Sequence, residues 1–249
     1  MRNAVKSLLK ALGLKVSRSR AAGRFQAMGE CLERMRDLHS EPAVIIDGGA
    51  NFGQFYRLAS AVYPRAEFHL IEPQATCALE LRKIAGQSPA RIHVHNVALS
   101  EPGAIEVRLL GTGPNGGGTG AHVANPEESE PDELVVPATT LDTLLNGVIA
   151  GAQRGLLKLD VEGHELAILR GAPKLLEKVD AVLLEVRFYD IQGSGRPVFE
   201  EVVSFVHRRG FHLYDIASLS PRPRDMRLRL GDVMFVRNGS RLLLDDSWA

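Results

Sequence analysis

The chain has 249 residues, 45% of them hydrophobic and 24% charged, and its 30 Lys+Arg balance 30 Asp+Glu. Such a chain buries a core without staples, and with only Cys31 and Cys77 it excludes a disulfide framework and a zinc–cysteine cluster. Its apolar runs are strand-sized, which excludes a membrane-spanning helix and, with so few cysteines, leads us to expect a cytoplasmic protein.

The charge balance is uneven along the chain. Residues 1–24 carry Arg2, Lys6, Lys10, Lys15, Arg18, Arg20 and Arg24 and no acid, a charge of +7, so the remainder carries −7. An acidic body argues against a nucleic-acid partner recognised by bulk charge. In the basic arm, Val5, Leu8, Leu9, Leu12 and Val16 recur at helical spacing with Lys6 and Lys10 opposite, which predicts an amphipathic helix. It reads as a frayed terminus, as a peripheral contact with an anionic membrane at its inner face, or as a transit peptide. Phe25, Met28, Cys31, Leu32, Met35 and Leu38 predict a lead-in helix, giving an N-terminal unit over 1–40, a main domain over 41–240 and a tail over 241–249.

From residue 43 the pattern alternates. Apolar runs over 43–47, 68–72, 92–98, 156–160, 181–186, 211–216 and 233–237 read as strands covered on both faces. Helical patterns over 52–63, 76–85, 140–145, 164–170, 173–179 and 197–209 separate most of them. This predicts an α/β fold with a doubly wound, mostly parallel sheet and helices on both faces. Between an antiparallel strand over 104–110 and another over 134–136 lies a Gly-rich, then acidic, segment over 111–133. It is expected to be a flexible loop, either a surface insertion or a lid. It is no P-loop, because no lysine lies between Lys83 and Lys158.

Open α/β sheets bind ligands outside the carboxyl ends of their strands. The first strand ends in Asp47 and opens Gly48-Gly49-Ala50-Asn51-Phe52-Gly53; the second ends in Glu72-Pro73, the third in Asn96-Val97-Ala98, the fourth in Asp160-Val161-Glu162-Gly163-His164-Glu165, and the fifth in Glu185. Gly49 would let the backbone pass close to a ligand, Gly53 would let a helix pack tightly, and Glu72 would accept hydrogen bonds from ribose hydroxyls. This describes a nucleoside half-site. Its spacing departs from G-x-G-x-x-G, and no Tyr is followed four places on by Lys, both of which count against a nicotinamide- or nucleotide-sugar-dependent oxidoreductase.

The stretches VIIDGGANFGQF, LIEP, NVALSEPG, TTLDTLL and LLKLDVEGHELAILRGA, in order from about residue 43 to 186, resemble the FkbM-type family of S-adenosylmethionine-dependent methyltransferases. The resemblance implies a class I, Rossmann-like fold with a seven-stranded sheet whose last strand is antiparallel. It also implies O-methylation of a hydroxyl on a sugar, glycolipid or secondary-metabolite acceptor. Carried onto this chain, it places Asp47, Gly48, Gly49, Ala50, Asn51 and Gly53 by the methionine and ribose of the cofactor, Glu72 and Pro73 by the ribose, and Asn96, Val97 and Ala98 by the adenine. Gly48 departs from the branched apolar residue common there.

Methyl transfer from a sulfonium needs alignment and a destination for the acceptor's proton. Asp160 is the first candidate to orient or deprotonate the acceptor and His164 the second, with Glu162 beside them. Alternatively Asp160, Glu162 and Glu165 would hold a divalent cation, which is not the expected reading, or Glu162 and Glu165 would only favour the following helix N-terminus. His93 and His95 share one strand face, where packing is expected rather than a metal pair. Arg222, Arg224, Arg227 and Arg229 read either as an anion contact or as a solvated loop. A binding protein that keeps the pocket without catalysis is the remaining reading.

Overall fold

A computed structural model describes residues 23–113, 115–149, 154–191 and 193–244. Of the basic arm predicted over 1–24, residues 1–22, and with them the amphipathic pattern behind the membrane contact, lie outside the described residues, as do 245–249 of the tail. Among the described residues no helix is long and apolar enough to cross a membrane.

The main sheet has seven strands: β1 (Val44–Gly48), β2 (Glu67–Ile71), β3 (Ile92–His95), β8 (Gly155–Leu159), β9 (Val179–Arg187), β10 (Phe211–Pro221) and β11 (Leu228–Arg237). Their order is β10-β11-β9-β8-β1-β2-β3. The five from β3 to β9 run parallel, and β11 is inserted antiparallel to both β9 and β10. Every residue of β1 and β8 is buried, as expected of central strands sandwiched between helices.

One face is packed by α1 (Arg24–Asp37), α2 (Gln54–Val62) and α3 (Ala75–Gln87), with Met28, Leu32, Phe55, Phe68 and Leu81 in its core. The other carries α4 (Leu141–Leu144), α5 (Glu165–Arg170), α6 (Pro173–Leu176) and α7 (Phe199–Arg208) over Ile46, Leu157, Leu169, Leu184 and Phe235. Caps set these helices. Thr140 accepts the amide of Thr143 at 3.1 Å, Asp142 accepts the amides of Lys174 and Leu175, and Glu201 accepts that of Val198 at 2.9 Å. Because Met28, Cys31, Leu32 and Met35 of α1 are buried, the lead-in helix shares the core of the main sheet.

Two expectations are corrected. The strand predicted over 92–98 ends at His95, because Asn96 turns its Nδ2 to the carbonyls of Glu72 and Pro73, each at 2.9 Å. The chain then enters, through β4 (Ala98–Leu99), a second sheet that it shares with β5 (Glu106–Leu110), β6 (His122–Val123) and β7 (Leu134–Thr139) in the order β4-β7-β5-β6. The strands expected on either side of the 111–133 segment are β5 and β7, which pair antiparallel with each other, but that segment, expected as one loop, contains β6, paired with β5. The basic stretch 222–229 includes the tight turn between β10 and β11. There Arg222 pairs with Asp225, and Arg227 lies 3.8 Å from the ring centroid of Tyr189.

Candidate active site

A cleft of about 240 Å³ opens at the carboxyl ends of β1, β2 and β8, roofed by residues of α1 and of the second sheet. Its floor depends on one glycine. Gly49 has φ +76°, and a Cβ there would fall 2.0 Å from the carbonyl oxygen of Asp160, so the β1 and β8 turns can touch only without a side chain. The missing side chain thus serves a close approach within the protein, to the backbone of Asp160. A Cβ on Gly48 would fall 2.6 Å from Leu159 Cδ2, which explains why a branched residue does not stand there.

Gly49, Ala50, Asn51, Glu72, Pro73, Val97, Ala98, Asp160, Glu162 and His164 border this cleft. Asp47, Gly48, Gly53 and Asn96 do not border it. Asp47 is fully buried, and its Oδ1 lies 2.8 Å from Lys158 Nζ, which also reaches the Gly49 carbonyl at 3.2 Å. The β1–β8 register sets Asp47 opposite Lys158. Burial pushes the Asp47 carboxyl up, against the pull of Lys158. The two charges fasten the central strands beneath the floor. Gly53 ends the loop as the N-cap of α2 against Leu81 and Ile84 of α3, and Asn96 braces the turn after β2.

Glu72 is nearly buried. One carboxylate oxygen accepts the amide of Asn51 at 2.8 Å, and the other accepts the amide of Gln74 at 2.9 Å. Burial raises its pKa while these donors oppose the rise. Glu72 thus ties the glycine loop to the turn after β2, a part that the sequence did not reveal. Gln74 Nε2 in turn donates to the Gly118 carbonyl at 3.1 Å, bringing the Gly-rich segment over the cleft.

Opposite stands a group of carboxylates gathered around one arginine. Arg24, the first residue of α1, points its Nη2 at Asp160 (2.9 Å), Glu185 (2.9 Å) and Asp232 (2.6 Å). Ser218 also donates to Asp232. Burial, then Asp160 beside it, pushes Glu185 well above the ordinary carboxylate range. Glu162 has φ +55°, a conformation disfavoured for a side chain of its size, and its carbonyl is gripped by Arg187 at 3.0 Å and Arg196 at 3.2 Å.

The remaining acid–base candidates separate here. His164 Nε2 lies 3.0 Å from Ser100 Oγ, and burial lowers its pKa to about 4. Glu165 does not join Asp160 and Glu162 as a ligand. Its Oε1 accepts the amides of Val161 (3.1 Å) and Gly163 (3.2 Å), and burial lifts its pKa to about 7. Among the described residues, the acidic groups whose oxygens converge within 4.8 Å are Asp160, Glu162 and Glu185. Arg24 already faces two of them, so a divalent cation there would have to expel a guanidinium.

Several solved structures resemble the chain at low identity. The magnesium protoporphyrin IX methyltransferase of Synechocystis PCC 6803, solved with bound SAM, is 12% identical with a TM-score of 0.49, over 94% of this chain and 91% of that one. A putative rRNA methylase of Clostridium thermocellum is 8% identical with a TM-score of 0.49, over 85% and 96%. The 1,6-didemethyltoxoflavin-N1-methyltransferase of Burkholderia thailandensis, solved with S-adenosylhomocysteine, is 12% identical with a TM-score of 0.46, over 95% and 86%. No curated protein matches the sequence. Residues 47–213, more than half of the chain, match the family described as the methyltransferase FkbM domain. The chain belongs to the FkbM methyltransferase domain family.

Proposed function

We propose that the chain is an S-adenosylmethionine-dependent methyltransferase that methylates a hydroxyl oxygen of a sugar, glycolipid or secondary-metabolite acceptor. The observation that carries this reading is the acid-lined cleft at the carboxyl ends of β1, β2 and β8, in a chain of the FkbM family. Carboxylates suit both a cationic sulfonium and ribose hydroxyls, so the donor set fits the cofactor. Glu72, Asn51 and the Gly49–Ala50 backbone would hold it, with Pro73, Val97 and Ala98 beside its base. When bound, S-adenosylmethionine supplies an activated methyl group, which leaves the protein to align and desolvate the acceptor.

Asp160 would take the proton of the acceptor's hydroxyl. Arg24 at 2.9 Å and Lys158 at 3.9 Å both address its Oδ2, which would leave Oδ1 to the hydroxyl proton. Glu162, which the Arg187 and Arg196 contacts hold at the cleft, would fix the acceptor from the side. His164, left a weak proton acceptor by burial and paired with Ser100, would act as wall rather than base. The reaction is proposed without a divalent cation, since Arg24 supplies the positive charge of the acidic niche.

The test is calorimetric titration with S-adenosylmethionine and S-adenosylhomocysteine, followed by incubation of methyl-labelled cofactor with a panel of hydroxylated saccharides and glycolipids. Saturable cofactor binding and an alkali-stable methyl ether on one acceptor are expected. Absence of binding at millimolar ligand would overturn the reading.

A further inference from the structure

A second set of ligating groups lies on β2 and β3, at the edge of the main sheet. Glu67 and His69 alternate along β2 and so share a face; the parallel register sets His93 beside His69 and His95 beside Ile71, which brings His93 and His95 to that same face. Glu67 Oε1 is 2.9 Å from His93 Nε2 and 3.6 Å from His69 Nε2, and the ligand atoms of the three residues all lie within 4.8 Å of one another. The His69 ring stacks on His93 at 4.7 Å between centroids and on His95 at 5.3 Å.

Two details separate this cluster from ordinary packing. The His69 side chain is only 5% exposed, yet its Nε2 has no hydrogen-bond partner, although buried polar atoms nearly always find one. Its other nitrogen, Nδ1, lies 3.0 Å from His95 Nε2. When Nδ1 donates that bond, the lone pair of Nε2 is left facing Glu67 and His93. Arg91 holds the second carboxylate oxygen, Oε2, at 2.9 Å, which turns Oε1 toward the imidazoles.

We propose that Glu67, His69 and His93 form a binding site for a borderline divalent cation of the zinc class, with His95 orienting His69 from behind. Zinc bonds of about 2.0–2.2 Å in a tetrahedron set ligand atoms about 3.3–3.5 Å apart, a spacing that the two observed distances bracket. Two imidazoles and a carboxylate, without thiolate, suit zinc better than calcium or magnesium, which take all-oxygen sets. A ligating histidine that gives its other ring N–H to a fixed acceptor is the usual companion of such a site. His93, about half exposed, leaves the fourth position open to water. Glu67 begins β2 whereas the cleft lies past its end, so the site is separate from the methyl-transfer cleft. Its cation would cross-link the edge strand β3 to β2 just before Asn96, which braces the Glu72 turn.

The test uses the full-length chain without a histidine tag, stripped with chelator and titrated calorimetrically with zinc chloride. Thermal denaturation and the visible spectrum of the cobalt(II)-loaded protein are read alongside. One equivalent of zinc, a raised unfolding temperature and a tetrahedral cobalt spectrum are expected. His93→Ala, at a half-exposed position, and Glu67→Gln, which keeps the side chain's shape at a partly buried one, should each weaken zinc at least about tenfold, and His95→Ala by about 10- to 100-fold. Glu162→Gln at the cleft should leave the titration unchanged. The proposal is overturned if the wild-type chain takes up no stoichiometric zinc, if His93→Ala binds it equally well, or if Glu162→Gln abolishes the uptake.

Discussion

Arg24 and Asp160 stand 2.9 Å apart, guanidinium to carboxylate, although 136 positions separate them. The same nitrogen lies as close to Glu185 and closer still to Asp232, so one cation of α1 sits among carboxylates from β9, β11 and the turn after β8. Arg24→Ala would leave these acids facing each other. A loss of about 2–3 kcal/mol is expected, below the figure for a fully enclosed pair because Arg24 keeps 28% exposure. Urea unfolding measures it. Arg24→Lys should recover only part of the loss, since an ammonium lacks the guanidinium's planar fork.

Asp160→Asn retains the shape of the cleft while removing the carboxylate offered to the acceptor hydroxyl. Turnover is expected to fall by about 10²- to 10⁴-fold while S-adenosylmethionine affinity changes less than about threefold. Kinetics with labelled cofactor and calorimetry separate the two quantities. Unchanged turnover would remove Asp160 from the acid–base role.

Glu72→Ala should act in the opposite way. It strips the acceptor from the amides of Asn51 and Gln74 and the carboxylate from the ribose position. An unsatisfied buried donor costs about 1–3 kcal/mol, and a loss of that size at the ribose position should lower cofactor affinity by about 5- to 150-fold. Calorimetric titration reads the loss directly.

Glu165 gives the pH dependence. Its pKa rises from 4.5 to about 7 on folding, chiefly through burial. Its stabilising contribution is fully present below pH 4.5, declines between 4.5 and 7 as the unfolded chain alone gives up the proton, and is lost above 7. The steepest slope is about 1.4 kcal/mol per pH unit. Glu165→Gln, which still offers an oxygen to Val161 and Gly163, should therefore gain stability relative to wild type as pH rises across that window. Urea midpoints from pH 4 to 8 for the two proteins give the difference.

The acid–base candidacy of His164 is tested by His164→Asn. Burial holds the wild-type imidazole neutral down to about pH 4. The substitution should change turnover by less than about tenfold, and the wild-type pH–rate profile should lack an inflection near 6.5.

The strand ends were legible because runs such as VIID and LIE combine continuous hydrophobicity with a terminal acid, a pattern dictated locally. Lys158 left a trace as well, as the one charge inside LLKL, and the register with β1 explains it through Asp47. Arg24 left none. It is one of seven basic residues in its segment, and only the tertiary approach of three strands distinguishes it. Glu162 and Glu165 have the spacing of a ligand pair, but Glu165 folds back onto the amides of its own turn, and the converging acid is supplied by Glu185 from the neighbouring strand. The premature end of β3 was hidden because Asn96 competes with the ladder by bonding carbonyls that are distant in sequence.

The insertion of β11 between β9 and β10 imposes an order on biosynthesis. Asp232 reaches Arg24 across 208 positions, so the first described helix has no complete partner set until β11 has left the ribosome. Contacts of such sequence separation form late. A nascent or truncated chain that ends before β11 would hold the glycine loop and the Glu72 turn but lack the acid that completes the Arg24 network. Assembly of the acidic niche is thereby a report that β11 has been made and has taken its place in the sheet.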